Sequence, residues 1–121
     1  MTTTTTTIRI LFALAFVLTS CVGQKNTTTS ANELTGTKWN YSDYEISYTI
    51  SFLKDGIYTS THPNDKTYGN DTWKQSGKKV MFYSNDKYAT YTGEFHGIDS
   101  IVGTATNIEN AQWTFTLART K

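Results

Sequence analysis

His62 and His96 are the two histidines of this 121-residue chain and Cys21 is its one cysteine, so the side chains most used for metal binding and nucleophilic catalysis are scarce. The histidines stand far apart, His62 before a proline and His96 before a glycine, with no cysteine and no His-x-His spacing beside either. That is not a metal signature. Asp43 with Glu45, and Glu94 with Asp99, have the residue types for general acid and base work on a glycosidic bond, yet both pairs fall at turns or strand ends, where acids serve solubility. Serines and threonines are plentiful, and none sits in a nucleophile motif. The reading from these residues is of no enzyme, no cofactor and no metal site.

The lone thiol has a different context. Arg9 is followed by an uninterrupted apolar run from Ile10 to Leu18, the layout of a secretory signal with its charged and hydrophobic regions. Those nine residues would cover about 14 Å as a helix, less than half of a hydrocarbon core of roughly 30 Å, so a spanning helix is the weaker reading. The run ends in Leu18-Thr19-Ser20-Cys21, which resembles the bacterial lipobox. The resemblance implies cleavage after residue 20 and a Cys21 that carries lipid on sulfur as the mature N-terminus. One cysteine cannot form an internal disulfide in an oxidising compartment, which agrees with that use of it. Acyl chains at about 0.8 kcal/mol per buried CH₂ would anchor the chain to a membrane. Residues 21–33 follow as a polar, aperiodic tether. Residue 22 is valine and not the aspartate of the inner-membrane retention rule, so the expected place is the cell envelope, on the outer membrane and facing the periplasm.

Loss of residues 1–20 removes Arg9 from the eleven basic residues and leaves them equal to the ten acidic ones. A neutral domain argues against a nucleic-acid partner. The chain has three Trp, eight Tyr and six Phe, all but Phe12 and Phe16 beyond residue 33. With turn signals every eight to twelve residues and no helix-length amphipathic stretch, residues 34–121 read as an all-β domain. The expected strands are 36–42, 46–53, 57–62, 70–76, 78–84, 88–96, 100–107 and 111–119. Ile46, Tyr48, Ile50 and Phe52 alternate with Ser47, Thr49 and Ser51, and Trp113, Phe115 and Leu117 with Thr114 and Thr116, so one face is buried and one wet. Short connections at 54–56, 77 and 85–87 pair nearest neighbours as a meander. Edges exposed on such a sheet are best removed by closure, which predicts an antiparallel, eight-stranded up-and-down β-barrel. A partly open meander or a two-sheet sandwich of the same strands is the alternative.

The succession 34–39 (LTGTKW), 50–61 (ISFLKDGIYTST), 71–82 (DTWKQSGKKVMF), 91–95 (YTGEF), 101–107 (IVGTATN) and 111–119 (AQWTFTLAR) resembles the small lipocalin-like, calycin-type domains of Bacteroidetes lipoproteins. The resemblance implies that Trp39, early in the first strand, is covered by Arg119, late in the last, as a structural pair at the closed end. Two residues separate Gly36 from Trp39, where lipocalins have one. A barrel of this strand number holds packed side chains or one small ligand. The candidate ligand-lining residues are Trp39, Tyr48, Ile50, Phe52, Trp73, Phe82, Tyr91, Trp113 and Phe115. Alternation of the loops puts 43–45, 63–69, 85–87 and 108–110 at the end away from the tether, with Tyr44, Asn64, Tyr68 and Tyr88 as rim candidates. The expected function is a membrane-anchored, monomeric binding module taking a small apolar or amphipathic ligand at the open mouth. The alternative is a protein-interaction or hydrolase-inhibitor module that meets an envelope partner through the 63–69 loop.

Overall fold

The computed structural model describes residues 32–121; the expected signal segment 1–20, Cys21 and most of the expected tether 21–33 lie outside the described residues. Eight antiparallel strands form one sheet: β1 (Lys38–Ser42), β2 (Ser47–Phe52), β3 (Tyr58–Ser60), β4 (Thr72–Ser76), β5 (Lys79–Ser84), β6 (Ala89–His96), β7 (Ser100–Asn107) and β8 (Gln112–Arg119). Their order is β3-β2-β1-β8-β7-β6-β5-β4, so the first strand pairs with the last, from Trp39 opposite Arg119 to Ser42 opposite Thr116. The two ends of the sheet, β3 and β4, meet through a single bridge, Ile57 to Thr72, beside a hydrogen bond from the Tyr58 amide to the Asp71 carbonyl. The result is a nearly closed barrel with one seam. β3 is three residues long, and the 61–71 connection that follows it leaves the sheet to cross the rim, so the expected β3–β4 ladder does not form.

Period-two burial explains why these segments close on one another. Trp39 and Tyr41, Ile50 and Phe52, Val80 and Phe82, Tyr91 and Phe95, and Phe115 and Leu117 all point inward and are buried. The turns supply the backbone shapes that pairing demands. Gly77 takes a positive φ of 58° in the two-residue link from β4 to β5. Asn85, Asp86 and Lys87 all adopt positive φ, an arrangement that costs non-glycine residues and needs outside support. Part of that support comes from the neighbouring 70–71 segment, whose Asp71 Oδ1 accepts the Asn85 amide at 2.8 Å while the Asn70 carbonyl accepts that of Asp86 at 3.0 Å.

One end of the barrel is sealed. Leu34 is fully buried there, its amide donates to Gln75 Oε1, and the Gly36 amide donates to the Phe52 carbonyl, so the chain enters across the floor. The Arg119 guanidinium lies 4.7 Å from the Trp39 ring, with its Nε donating to the Ile98 carbonyl at 2.9 Å and 3.7 Å from Asp99. The indole Nε1 of Trp39 donates to Thr37 Oγ1. Arg119 thus covers the buried tryptophan as a lid. Truncation to alanine is expected to lower stability by about 1 kcal/mol, a melting shift of roughly 4 to 8 °C. Lysine should restore only part of that, because it lacks the flat face. Thermal melts of Arg119→Ala and Arg119→Lys followed by circular dichroism check both.

Candidate functional site

The other end is open. The β1–β2, β3–β4, β5–β6 and β7–β8 connections ring a cleft of about 410 Å³. Its floor is aromatic: Tyr41 and Tyr48 stack at 4.4 Å, Tyr91 stands edge-on to Tyr41 at 5.8 Å, and Trp113 lies edge-on to Tyr91 at 5.8 Å. Below this layer, Phe82 stacks flat on Tyr91 at 4.4 Å, with Phe52, Tyr58 and Phe115 edge-on around it.

Hydrogen bonds fix the floor. Trp113 Nε1 donates to Tyr41 Oη at 2.8 Å, and Tyr41 Oη donates to Asp43 Oδ2 at 2.7 Å. Asp43 Oδ1 accepts the amides of Glu45 and Ile46, so one carboxylate both shapes the β1–β2 turn and orients two rings. Burial is the main cause that pushes the phenols of Tyr41, Tyr48, Tyr58 and Tyr91 up, out of their ordinary range. All four are therefore neutral hydroxyls at physiological pH. On the wall, His62 Nδ1 accepts the Asn64 amide at 3.0 Å, which puts its proton on Nε2, and its ring meets the Tyr48 face edge-on at 4.9 Å. Among the described residues, no group of three His, Cys, Asp or Glu side chains is placed to hold a metal ion.

Asp71 is the buried acid of the domain, 3 % exposed in the seam wall. Burial first, and then repulsion from Asp65 and Asp86, pushes its carboxyl up to about 6, against the lowering effect of the Asn85 amide. Because its value is higher folded than unfolded, the native chain binds the extra proton between about pH 4 and 6, and this group's contribution to stability falls as pH rises through that window. Asp71→Asn keeps the acceptor for Asn85 and removes the charge. The variant is expected to be about 1 kcal/mol more stable than the parent at pH 7, since water in the cleft screens the rest of the charge, and to lose that advantage towards pH 4. Urea unfolding of both proteins at the two pH values measures the difference; equal gains at both would refute the assignment.

The candidate residues divide into three groups. Tyr48, Tyr91 and Trp113 line the cleft, as do the rim residues Tyr44, Asn64 and Tyr88. Trp39, Ile50, Phe52, Phe82 and Phe115 do not; they are packed beneath it, each at most 3 % exposed, because aromatic side chains fill the narrow interior of an eight-stranded barrel. Trp73 also lies away from the cleft, at the seam, where its Nε1 donates to the carbonyls of Leu53 and Ile57. Tyr68 stands clear of the cleft and is 90 % exposed.

Family models, curated proteins and solved structures yield no match to this chain. The site therefore rests on its own geometry. Sequence reasoning did not single out Tyr41, Tyr58, Asp65 or Asp71 as part of it. The tyrosines carry a usable signal, two residues from Trp39 and from Ser60 on strands already assigned. Asp65 and Asp71 carry none, since a turn acid that the fold sets against a cleft looks like any other turn acid. The remaining carboxylate pair is divided between the outer wall and the closed end: Glu94 is exposed on β6, and Asp99 faces Arg119.

Proposed function

We propose that this chain is a lipid-anchored, lipocalin-like envelope protein that holds a small amphipathic ligand in the mouth of its barrel. The observation that carries the reading is the cleft of about 410 Å³ floored by Tyr41, Tyr48, Tyr91 and Trp113. Its size lies within the range of small-molecule sites, and its lining joins aromatic rings to polar side chains, four of them acids. The chain enters the barrel at the opposite end, through Leu34, so an anchor at Cys21 leaves the mouth directed away from the membrane.

Two experiments test the parts separately. Native mass spectrometry of the full chain, purified gently from envelope membranes, is expected to show a reproducible adduct of small-molecule mass beyond that of the lipid; a clean mass in repeated preparations counts against the ligand. Cys21→Ser is expected to move the protein from the membrane fraction to the soluble fraction. Unchanged fractionation, with no acyl mass on the parent, would overturn the anchor.

A second reading has an observation of its own. Tyr44, Tyr68 and Ile108 are 80, 90 and 70 % exposed at the mouth end, a composition suited to a protein partner. If the chain acts through them, Tyr68→Ser combined with Ile108→Ser, neither of which lines the cleft, abolishes capture of an envelope protein and leaves any small-molecule adduct in place.

A further inference from the structure

We propose that the mouth cleft selects a positively charged ligand, an organic ammonium compound bearing a flat apolar group; the proposal rests on the reading of the mouth as a small-molecule site. Four acids, Asp43, Glu45, Asp65 and Asp71, line the cleft, and among the described residues that line it there is no lysine or arginine. The floor is made of aromatic rings, and a ring attracts a cation that approaches its face.

Two lysines, Lys66 and Lys87, stand in the mouth connections, and neither lines the cleft. Lys87, on the β5–β6 rim, lies 5.5 Å from the centre of the Tyr83 ring, on a strand position that alternates with the inward Phe82 and so faces outside. His62 accepts a hydrogen bond on Nδ1 from the Asn64 amide. Asp43 is an acceptor for two amides and a phenol. Across the cleft, Asp65 accepts from Ser60 through Oδ2, while its Oδ1 is buried without a hydrogen-bond partner next to a second carboxylate, Asp71. An ammonium group between the acidic wall and the tyrosine floor would relieve the repulsion between these carboxylates and meet the ring faces at once. A ligand anion would face four carboxylates with no compensating donor of positive charge.

The same logic extends to the whole barrel. With Asp86 and Glu109, six acids stand in the mouth connections against Lys66 and Lys87, while Lys38, Lys54, Lys78 and Arg119 stand at the sealed end or in its turns with Asp55 and Asp99. A chain with nearly balanced charge overall thus presents a negative potential where the ligand enters, which raises the local concentration of cations there.

Three probes of one shape separate charge from fit: 2-phenylethylammonium, 2-phenylethanol and 3-phenylpropanoate, each titrated calorimetrically into the full chain in detergent with tryptophan fluorescence read alongside. The ammonium is expected to bind at least about tenfold more tightly than the alcohol, with the carboxylate weakest. In the Asp65→Asn, Asp71→Asn double variant that preference should fall below about threefold while the affinity for the alcohol is kept. If the double variant does not melt cooperatively, Asp65→Asn alone, on the rim loop, provides the comparison. Equal or tighter binding of the alcohol would overturn the cation preference and leave the ligand site standing. Failure of all three probes, together with a native adduct that carries no basic nitrogen, would do the same. Failure of all three with no native adduct would remove both.

Discussion

Phe82→Ala is expected to cost about 3 to 5 kcal/mol, a large part of the roughly 5 to 15 kcal/mol that holds a small domain together. Phe82 is fully buried at the centre of the barrel. It stacks on Tyr91 with an interplanar angle of 4° and has Phe52, Tyr58 and Phe115 edge-on within 5.8 Å. Alanine would remove the ring that joins the β2–β3 side of the core to β6 and β8 and leave a cavity that rigid aromatic neighbours cannot fill by small shifts. It would also remove the support under Tyr91, part of the cleft floor, so binding at the mouth should weaken along with stability. Urea unfolding with near-ultraviolet circular dichroism measures the loss. A cost under about 1 kcal/mol would mean that the stack contributes little and that the core collapses readily around the gap.

Gly103→Ala is expected to lower the melting temperature by roughly 12 to 24 °C, equivalent to about 3 kcal/mol. Gly103 on β7 faces Gly93 on β6 and Phe115 on β8. A Cβ at Gly103 would stand 2.0 Å from the Thr92 carbonyl oxygen and 2.6 Å from the Gly93 Cα. Both are backbone atoms in the middle of a ladder, so relief requires β6 and β7 to separate. At Gly93 the added carbon would meet the Ile101 side chain at 2.7 Å and Phe115 at 3.2 Å, and those side chains can turn aside in part. Gly93→Ala should therefore cost less than Gly103→Ala. The reverse order in thermal melts would show that side-chain crowding in the core, and not the approach of two backbones, makes glycine necessary here. The pair lets the wall bend inward where the barrel must curl most tightly.

The strand pattern was open to sequence reading because it is a local property. All eight strands lie within the segments marked by period-two alternation and turn residues, and the pairing of β1 with β8 follows from the need to remove edges. The contact of Arg119 with Trp39 followed from the family resemblance and is present in the geometry. The seam was not legible. Residues 57–62 have the composition of a full strand, yet β3 ends at Ser60: Thr61 still donates its amide to Thr49, and beyond it the chain turns at His62 to Asp65 over the mouth. Which chain a segment pairs with after a long connection depends on where that connection returns, and eleven residues of polar loop do not encode this locally.

By itself, the sequence determined the class of the molecule from residue 34 on: a neutral, aromatic, all-β domain. Alternation decides which face of each strand is buried, because side-chain direction in a strand has a period of two whatever its neighbours are. The tertiary structure alone decided which buried aromatics fill the interior and which form a floor. Trp39, Phe82 and Trp113 are alike as inward residues on their own strands, and only strand stagger and closure place two of them in the core and Trp113 at the mouth. It also decided the charge of the site. Asp43 comes from the β1–β2 turn and Asp65 and Asp71 from the β3–β4 connection, and the two groups face one cleft only because the sheet closes, while Lys87 turns outward. Charge and cavity shape at the mouth arise from non-local register, to which no single stretch of sequence holds the key.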